Sequence, residues 1–258
     1  MLITCKNCGQ KYEGNFCNNC GQKADTQRID FKFFKKRIER VLFKFSDKGI
    51  FYTVRQLFTR PGIAAREYIE GKRVNHYDPL SLLILLAASY GILYHYFGIN
   101  FFSNISTGGE STVKIDFIKV NEWFSNHFSL ANGIMIPLYS IGSYAVFRNQ
   151  GYNYTEHLTL NTFLACQRLL LRLFTFPLIV IFHQSDNLQI LEYIFIGSDI
   201  TLLVWSYSQF FDKLTKPKVI LLSLLSYLIF FICTIALIYF LIYTLSLIPE
   251  SIFNILFN

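Results

Sequence analysis

Four cysteines near the start of the chain, Cys5, Cys8, Cys17 and Cys20, form two C-x2-C pairs separated by eight residues. Each pair places two thiolates on one tight turn, so the two pairs together can complete a tetrahedral sulfur shell of the kind Zn2+ prefers. Gly9 and Gly21 follow the second cysteine of each pair, where the lack of a Cβ lets backbone amides turn back toward the sulfurs. So short a segment buries too little apolar surface to fold alone, and metal ligation would supply the folding energy. Four sulfur ligands leave no open coordination position, so the expected zinc is structural. A disulfide pair is the alternative reading. It requires an oxidising compartment, whereas the topology read below keeps this head in the cytoplasm.

A second concentration of chemically capable residues runs from Asp47 to Pro79, where aromatics, charges and turn formers are densest. Pro61-Gly62 is expected to end one helix and to open another at proline's preferred first position. Arg66, Glu67, Glu70 and Arg73 then recur at spacings of three and four, which would let Glu70 pair with Arg66 and Arg73 on one face. One reading is an interfacial helical hairpin held by such pairs, its basic ends toward phosphate headgroups. The sharper one is a lipid-headgroup or anion site built from Arg60, Arg66, Lys72, Arg73 and His76.

A third candidate lies within apolar sequence. Arg168 and Arg172 stand four residues apart, and an arginine at bilayer depth costs roughly 2.5–3.5 kcal/mol on insertion scales. Each should therefore face a partner, a lipid phosphate or a hydrated cavity, the partners on offer being Asp199, Glu156, and backbone carbonyls freed by Pro137 or Pro177. Glu156, His157, Arg168, Arg172 and Asp199 are the candidate intramembrane polar site, either a structural ion pair between helices or a polar cavity. No catalytic constellation accompanies it. His95, His157 and His183 are scattered without metalloprotease spacing, and no G-x-S-x-G or phosphate-cradling glycine loop occurs. Glu156 and His157, as neighbours on a helix, point about 100° apart. An enzyme is not expected.

The head, CKNCG…NFCNNCGQKA, and the block G-x-x-Y-T-x-x-x-L-x-x-R-P-G over Gly49 to Gly62, followed by Tyr68-Ile69-x-Gly71-Lys72-Arg73 and Pro79, resemble a Bacteroidota family of uncharacterised zinc-ribbon-headed membrane proteins, domain of unknown function 3667. The resemblance covers residues 1–85 by motif and the rest by hydropathy. It implies the architecture and brings no activity, substrate or catalytic residue.

These groups must be positioned by helices in a membrane. Of 258 residues, 52% are hydrophobic and 16% charged, and the apolar content falls in long runs. Spans are expected over 80–97, 128–147, 158–182, 193–211 and 219–247, the last without a charged residue. No signal peptide opens the chain, and no internal repeat or low-complexity linker is seen. With the N-terminus inside, cytoplasmic segments hold twenty Lys and Arg and external segments only Lys114 and Lys119, in keeping with the positive-inside bias. Residues 29–45 alternate apolar and basic positions at helical spacing and read as a helix lying on an anionic leaflet. The external loop 98–127 carries a Gly108-Gly109 turn and an alternating stretch Val113, Ile115, Phe117, with two readings open: a short paired strand, or an interfacial segment held by Trp123 and Phe124.

The expected fold is an all-α polytopic membrane protein of about five transmembrane helices. It is divided into a zinc ribbon (1–24), basic amphipathic interfacial helices (25–79) and a transmembrane bundle (80–258). The expected location is a bacterial inner membrane, with membrane lipids and another membrane or cytoplasmic protein as partners. An accessory or scaffold role leads, and a small-solute or lipid transporter is the alternative. Membrane-linked nucleic-acid binding ranks last, because basic residues interleaved with Phe suit lipid at least as well.

Overall fold

A computed structural model describes residues 2–26, 28–33, 49–97, 128–182 and 188–246. Strands β1 (Ile3–Thr4) and β2 (Lys11–Tyr12) pair antiparallel in the cysteine-rich head. Helices follow as α1 (Ile50–Thr59), α2 (Pro61–Glu70), α3 (Pro79–Tyr96), α4 (Phe128–Phe147), α5 (Tyr154–Phe174), α6 (Phe176–Phe182), α7 (Leu188–Phe210) and α8 (Lys216–Ser246). Residues 34–48, which hold most of the expected interfacial helix, the loop 98–127, His183 and residues 247–258 lie outside the described residues.

Local chemistry sets the helix ends. Arg60 separates α1 from α2, and Pro61 takes the first helical position of α2. Asp78 caps α3 by accepting from the backbone amides of Leu80 and Ser81, again with proline in the first turn. Asn153 and Glu156 form a reciprocal capping box at the start of α5.

α3 and residues Lys216–Phe240 of α8 are long and apolar enough to cross a membrane, and α5 with α6 makes a third such segment if the bent pair is one span. Only 17% of the α8 window is buried. Leu221, Leu224, Leu228 and Phe231 all face outward, the pattern of a helix solvated by lipid. Two to three apolar helices therefore mark the chain as a membrane protein.

The continuous span expected over 158–182 is broken. α5 and α6 meet at Thr175 with a bend of 54°. Pro177 is the cause: it lacks the N–H that would bond Leu173, and its ring crowds that carbonyl.

α5 is the central helix, packed against α1, α2, α3, α4, α6 and α7. Leu160, Phe163 and Cys166 on it are fully buried. The α1–α2 hairpin is part of this packing, with Leu57, Ala64 and Ala65 fully buried. Gln167 of α5 donates to the Leu57 carbonyl at 2.9 Å, satisfying one of the acceptors that the end of α1 leaves open.

Candidate functional site

The head is built from two matching turns. The Gly9 amide donates to the Cys5 carbonyl and the Gly21 amide to the Cys17 carbonyl, while the Cys5 and Cys17 amides donate to the carbonyls of Gln10 and Gln22. Gly9 and Gly21 sit at φ 77° and 73°, a left-handed conformation that glycine adopts without penalty. The correspondence C-x-N-C-G-Q-K, repeated twelve residues apart at Cys5 and Cys17, is an internal repeat, contrary to the expectation of none. One closely spaced pair of turns was too short to register as a chain-level repeat.

The four sulfurs lie within 4.8 Å of one another, with Cys5 Sγ 3.5 Å from Cys20 Sγ and Cys8 Sγ 3.6 Å from Cys17 Sγ. All four cysteines are free thiols, placed to hold a metal ion. The Gln10 backbone amide, the leading influence on Cys8, helps to draw its thiol down to about 6, while burial pushes Cys20 up to about 11. Cys8 is thus the readier of the two to lose its proton, and Cys20 must surrender its own on binding. Metal affinity is therefore expected to fall as pH is lowered, because the ligand thiols must give up their protons on binding; a metal titration with a competing chelator at several pH values checks this.

One side of the head is docked onto the bundle. Gln10 is exposed, but its counterpart Gln22 is buried and donates to the Gly71 carbonyl and to Thr26 Oγ1, both at 3.0 Å. Gly71 caps α2 at φ 109°, and a Cβ there would lie 3.0 Å from both the Lys6 side chain and the Thr26 methyl. Further along, Arg28 grips Glu156 with two hydrogen bonds of 2.7 Å and the Gly151 carbonyl with a third of 2.7 Å. Asn153 donates to the Ile29 carbonyl. Glu156 is thus a helix cap tied to the strap behind the head, away from the arginines of α5.

The Glu156 side chain is 4% exposed and that of Arg28 61%. Arg28→Ala would leave a buried carboxylate with the Asn153 amide as its remaining described partner outside its own backbone, a loss of about 1–3 kcal/mol. Thermal unfolding of the full chain in detergent should show a lower midpoint, with Arg28→Lys recovering only part because an ammonium cannot make the paired contact.

The five residues expected to bind lipid or anion are individually engaged. Glu67 is the hub, with Arg60 and Lys72 each at 3.7 Å and His76 at 3.5 Å. Arg60 also bonds Gln56 and Tyr52. Arg66 pairs with Asp212 at the end of α7, and Arg73 donates to the Tyr68 carbonyl while its guanidinium lies 4.5 Å from the centre of the Phe33 ring. The Glu70-centred pairing with Arg66 and Arg73 is replaced because helix α2 turns Glu67 toward the 72–76 loop and Arg66 toward α7.

His76 sits in an aromatic box of Tyr52, Tyr68 and Phe163. Burial lowers its pKa, and the neighbouring Glu67 offsets this only in part. The folded state then resists a proton that the unfolded chain accepts, so this contribution is lost as pH falls through the ordinary histidine range. His76→Gln should flatten the acid limb of a stability–pH profile.

The hairpin, the Glu67 hub and most of α3 follow one another in the chain, and all three helices pack against α5. Residues 47–91 match the family described as Protein of unknown function (DUF3667). The match takes in the Gly49–Gly62 block and the Tyr68–Arg73 motif that carried the sequence resemblance. No curated protein and no solved structure matches the chain. The motif residues of that block therefore gain a structural account and no borrowed chemistry.

The third candidate group divides. Arg172 pairs with Asp199 of α7 at 2.9 Å, and the Arg168 guanidinium lies 4.2 Å from the centre of the Tyr139 ring of α4. Both arginines and Asp199 line a cavity of about 140 Å³ between α4, α5, α7 and α8. His157 is elsewhere, its Nδ1 3.0 Å from Ser143 Oγ and its ring stacked on Phe211. Between these ends runs a polar ladder that sequence reasoning missed: Asn161 donates to Ser140 and Ser143 and accepts from Tyr207, and Gln167 accepts from Ser206. The signal was present, since positions 157, 161, 168 and 172 all fall on one helical face.

Proposed function

We propose that this chain is a five-span scaffold of a bacterial inner membrane, its N-terminus cytoplasmic, whose zinc ribbon presents a docking knob to a protein partner. The observation that carries the reading is the two-sided head: Gln22, Lys6 and Thr26 face the bundle, while Leu2 and Phe16 remain 66% and 58% exposed. Apolar side chains held outward on a rigidly mounted module suit a partner surface.

Zinc is favoured by distance and by compartment. Bonds of about 2.3 Å in a tetrahedron place sulfurs about 3.8 Å apart, close to the 3.5 and 3.6 Å separations here. Cys5, Cys8, Cys17 and Cys20 would be its ligands, and free thiols suit a reducing cytoplasm. The five-span reading adds α4 and α7, of 20 and 23 residues, to α3, the bent α5–α6 pair and α8. Each is long enough for a hydrocarbon core of about 30 Å. Exposed Arg148, Lys213, Lys216 and Lys218 at the α4–α5 and α7–α8 turns suit contact with anionic headgroups.

Affinity purification of the full chain in mild detergent tests the role. Phe16→Ser with Leu2→Ser should lose the co-purifying protein while membrane insertion and metal content persist, and Cys5→Ser with Cys8→Ser should lose it together with the metal. Undiminished partner recovery from both variants would sink the scaffold reading. The transport alternative is favoured by one observation, the arginine-lined cavity beside the bent α5–α6 segment.

A further inference from the structure

We infer that the cavity between α4, α5, α7 and α8 is a binding site for a phosphate-type oxyanion, held by Arg168 and Arg172. The inference is independent of the ribbon's role.

Charge balance points to it first. Two guanidiniums and one carboxylate, Asp199, line the cavity, and arginine does not shed its proton. Asp199 answers Arg172. Arg168 is met by the face of the Tyr139 ring, which attracts a cation without neutralising it. A net positive charge within an apolar bundle calls for an anion.

Donor supply points to it next. Arg172 bonds Asp199 through one terminal nitrogen, and the Arg168 and Arg172 side chains both line the cavity. A tetrahedral oxyanion can accept from two guanidiniums at once, using the planar fork that makes arginine the usual phosphate reader.

Space is sufficient. The cavity's volume of about 140 Å³ is comparable with that of a pocket of about 150 Å³ that admits benzene, so a phosphate group fits with water beside it. Stacked Tyr139 and Phe230, ring centres 3.5 Å apart, form an apolar wall on one side and leave the arginines as the polar one. The oxyanion is either the headgroup phosphate of an anionic lipid or a free phosphate.

The test uses the purified full chain in nanodiscs. In one arm, discs contain mixed phosphatidylglycerol and phosphatidylcholine, and native mass spectrometry reads the retained lipid. In the other, discs contain phosphatidylcholine alone, and inorganic phosphate is titrated by calorimetry. Selective retention of phosphatidylglycerol assigns the site to lipid, and saturable phosphate binding assigns it to a free anion. Arg168→Gln should weaken whichever is bound at least tenfold, and Asp199→Asn, which removes the competing carboxylate, should tighten it. Should Arg168→Gln fail to fold, Asp199→Asn alone decides by its opposite sign. Absence of both ligands from the wild-type chain, or binding unmoved by these substitutions, would overturn the site.

Discussion

Chelating the metal from the full chain, or replacing Cys8 with Ser, is expected to unfold residues 2–26 while the helical bundle stays folded. The head's own core consists of Cys5, Tyr12 and Cys17, with Ile3, Cys20 and Ala24 packed against it. Half of that core is the ligand set itself. Its strands are two residues each, far short of independent stability. Structural zinc in comparably small modules contributes about 10–16 kcal/mol, more than anything else in this segment can supply. Release should also free Gln22 from the Gly71 carbonyl and Lys6 from the Thr26 carbonyl. Limited proteolysis should then cut within residues 2–26, and hydrogen exchange there should become fast, while α5 remains protected. A head that resists protease after chelation would show that the thiols are not what holds it.

The second large effect is expected at Gly62. A Cβ on that residue would lie 2.0 Å from the Ser206 carbonyl oxygen, 2.7 Å from Gln209 Cβ and 2.8 Å from the Phe210 amide. Two of these obstacles are backbone and cannot rotate away, so α2 and α7 would have to separate. The Gly62 amide would also lose its bond to Gln209 Oε1, now 3.1 Å long. Gly62→Val should therefore destabilise by about 3 kcal/mol or more, read as a lower unfolding midpoint in detergent. Gly133 and Gly197 are the controls, since nothing lies within 4 Å of a Cβ at either. Gly133→Ala and Gly197→Ala should cost little and can gain up to about 1 kcal/mol of helix propensity.

The legible parts of the fold were those set by local chemistry. Cysteine spacing brought the four sulfurs together, Pro61 placed the α1–α2 break, and apolar run length located the residues of α3, α4 and α8 to within a few positions. The Arg172–Asp199 pair was legible because each was a charge stranded in apolar sequence with few partners on offer. What stayed hidden depended on long-range packing. Glu156 looked like an intramembrane acid, yet its capping position at the start of α5 leaves it facing Arg28, 128 residues earlier in the chain. Gln22 and Gly71 lie 49 residues apart, and only the docked head shows them as an interface. Asn161 and Gln167 draw their roles from partners far along the chain, Tyr207 for the first and Ser206 and the Leu57 carbonyl for the second. The cations of residues 60–76 suggested a phosphate site by type alone. Glu67, Asp212 and aromatic faces already engage them, and the less conspicuous excess charge lies on Arg168.

Metal analysis of the full chain purified without added metal or chelator tests the central claim most directly. The account predicts one zinc per chain by elemental mass spectrometry, lost together with protease resistance of the head in Cys8→Ser. A purified chain that carries no zinc and keeps a protease-resistant head would contradict it.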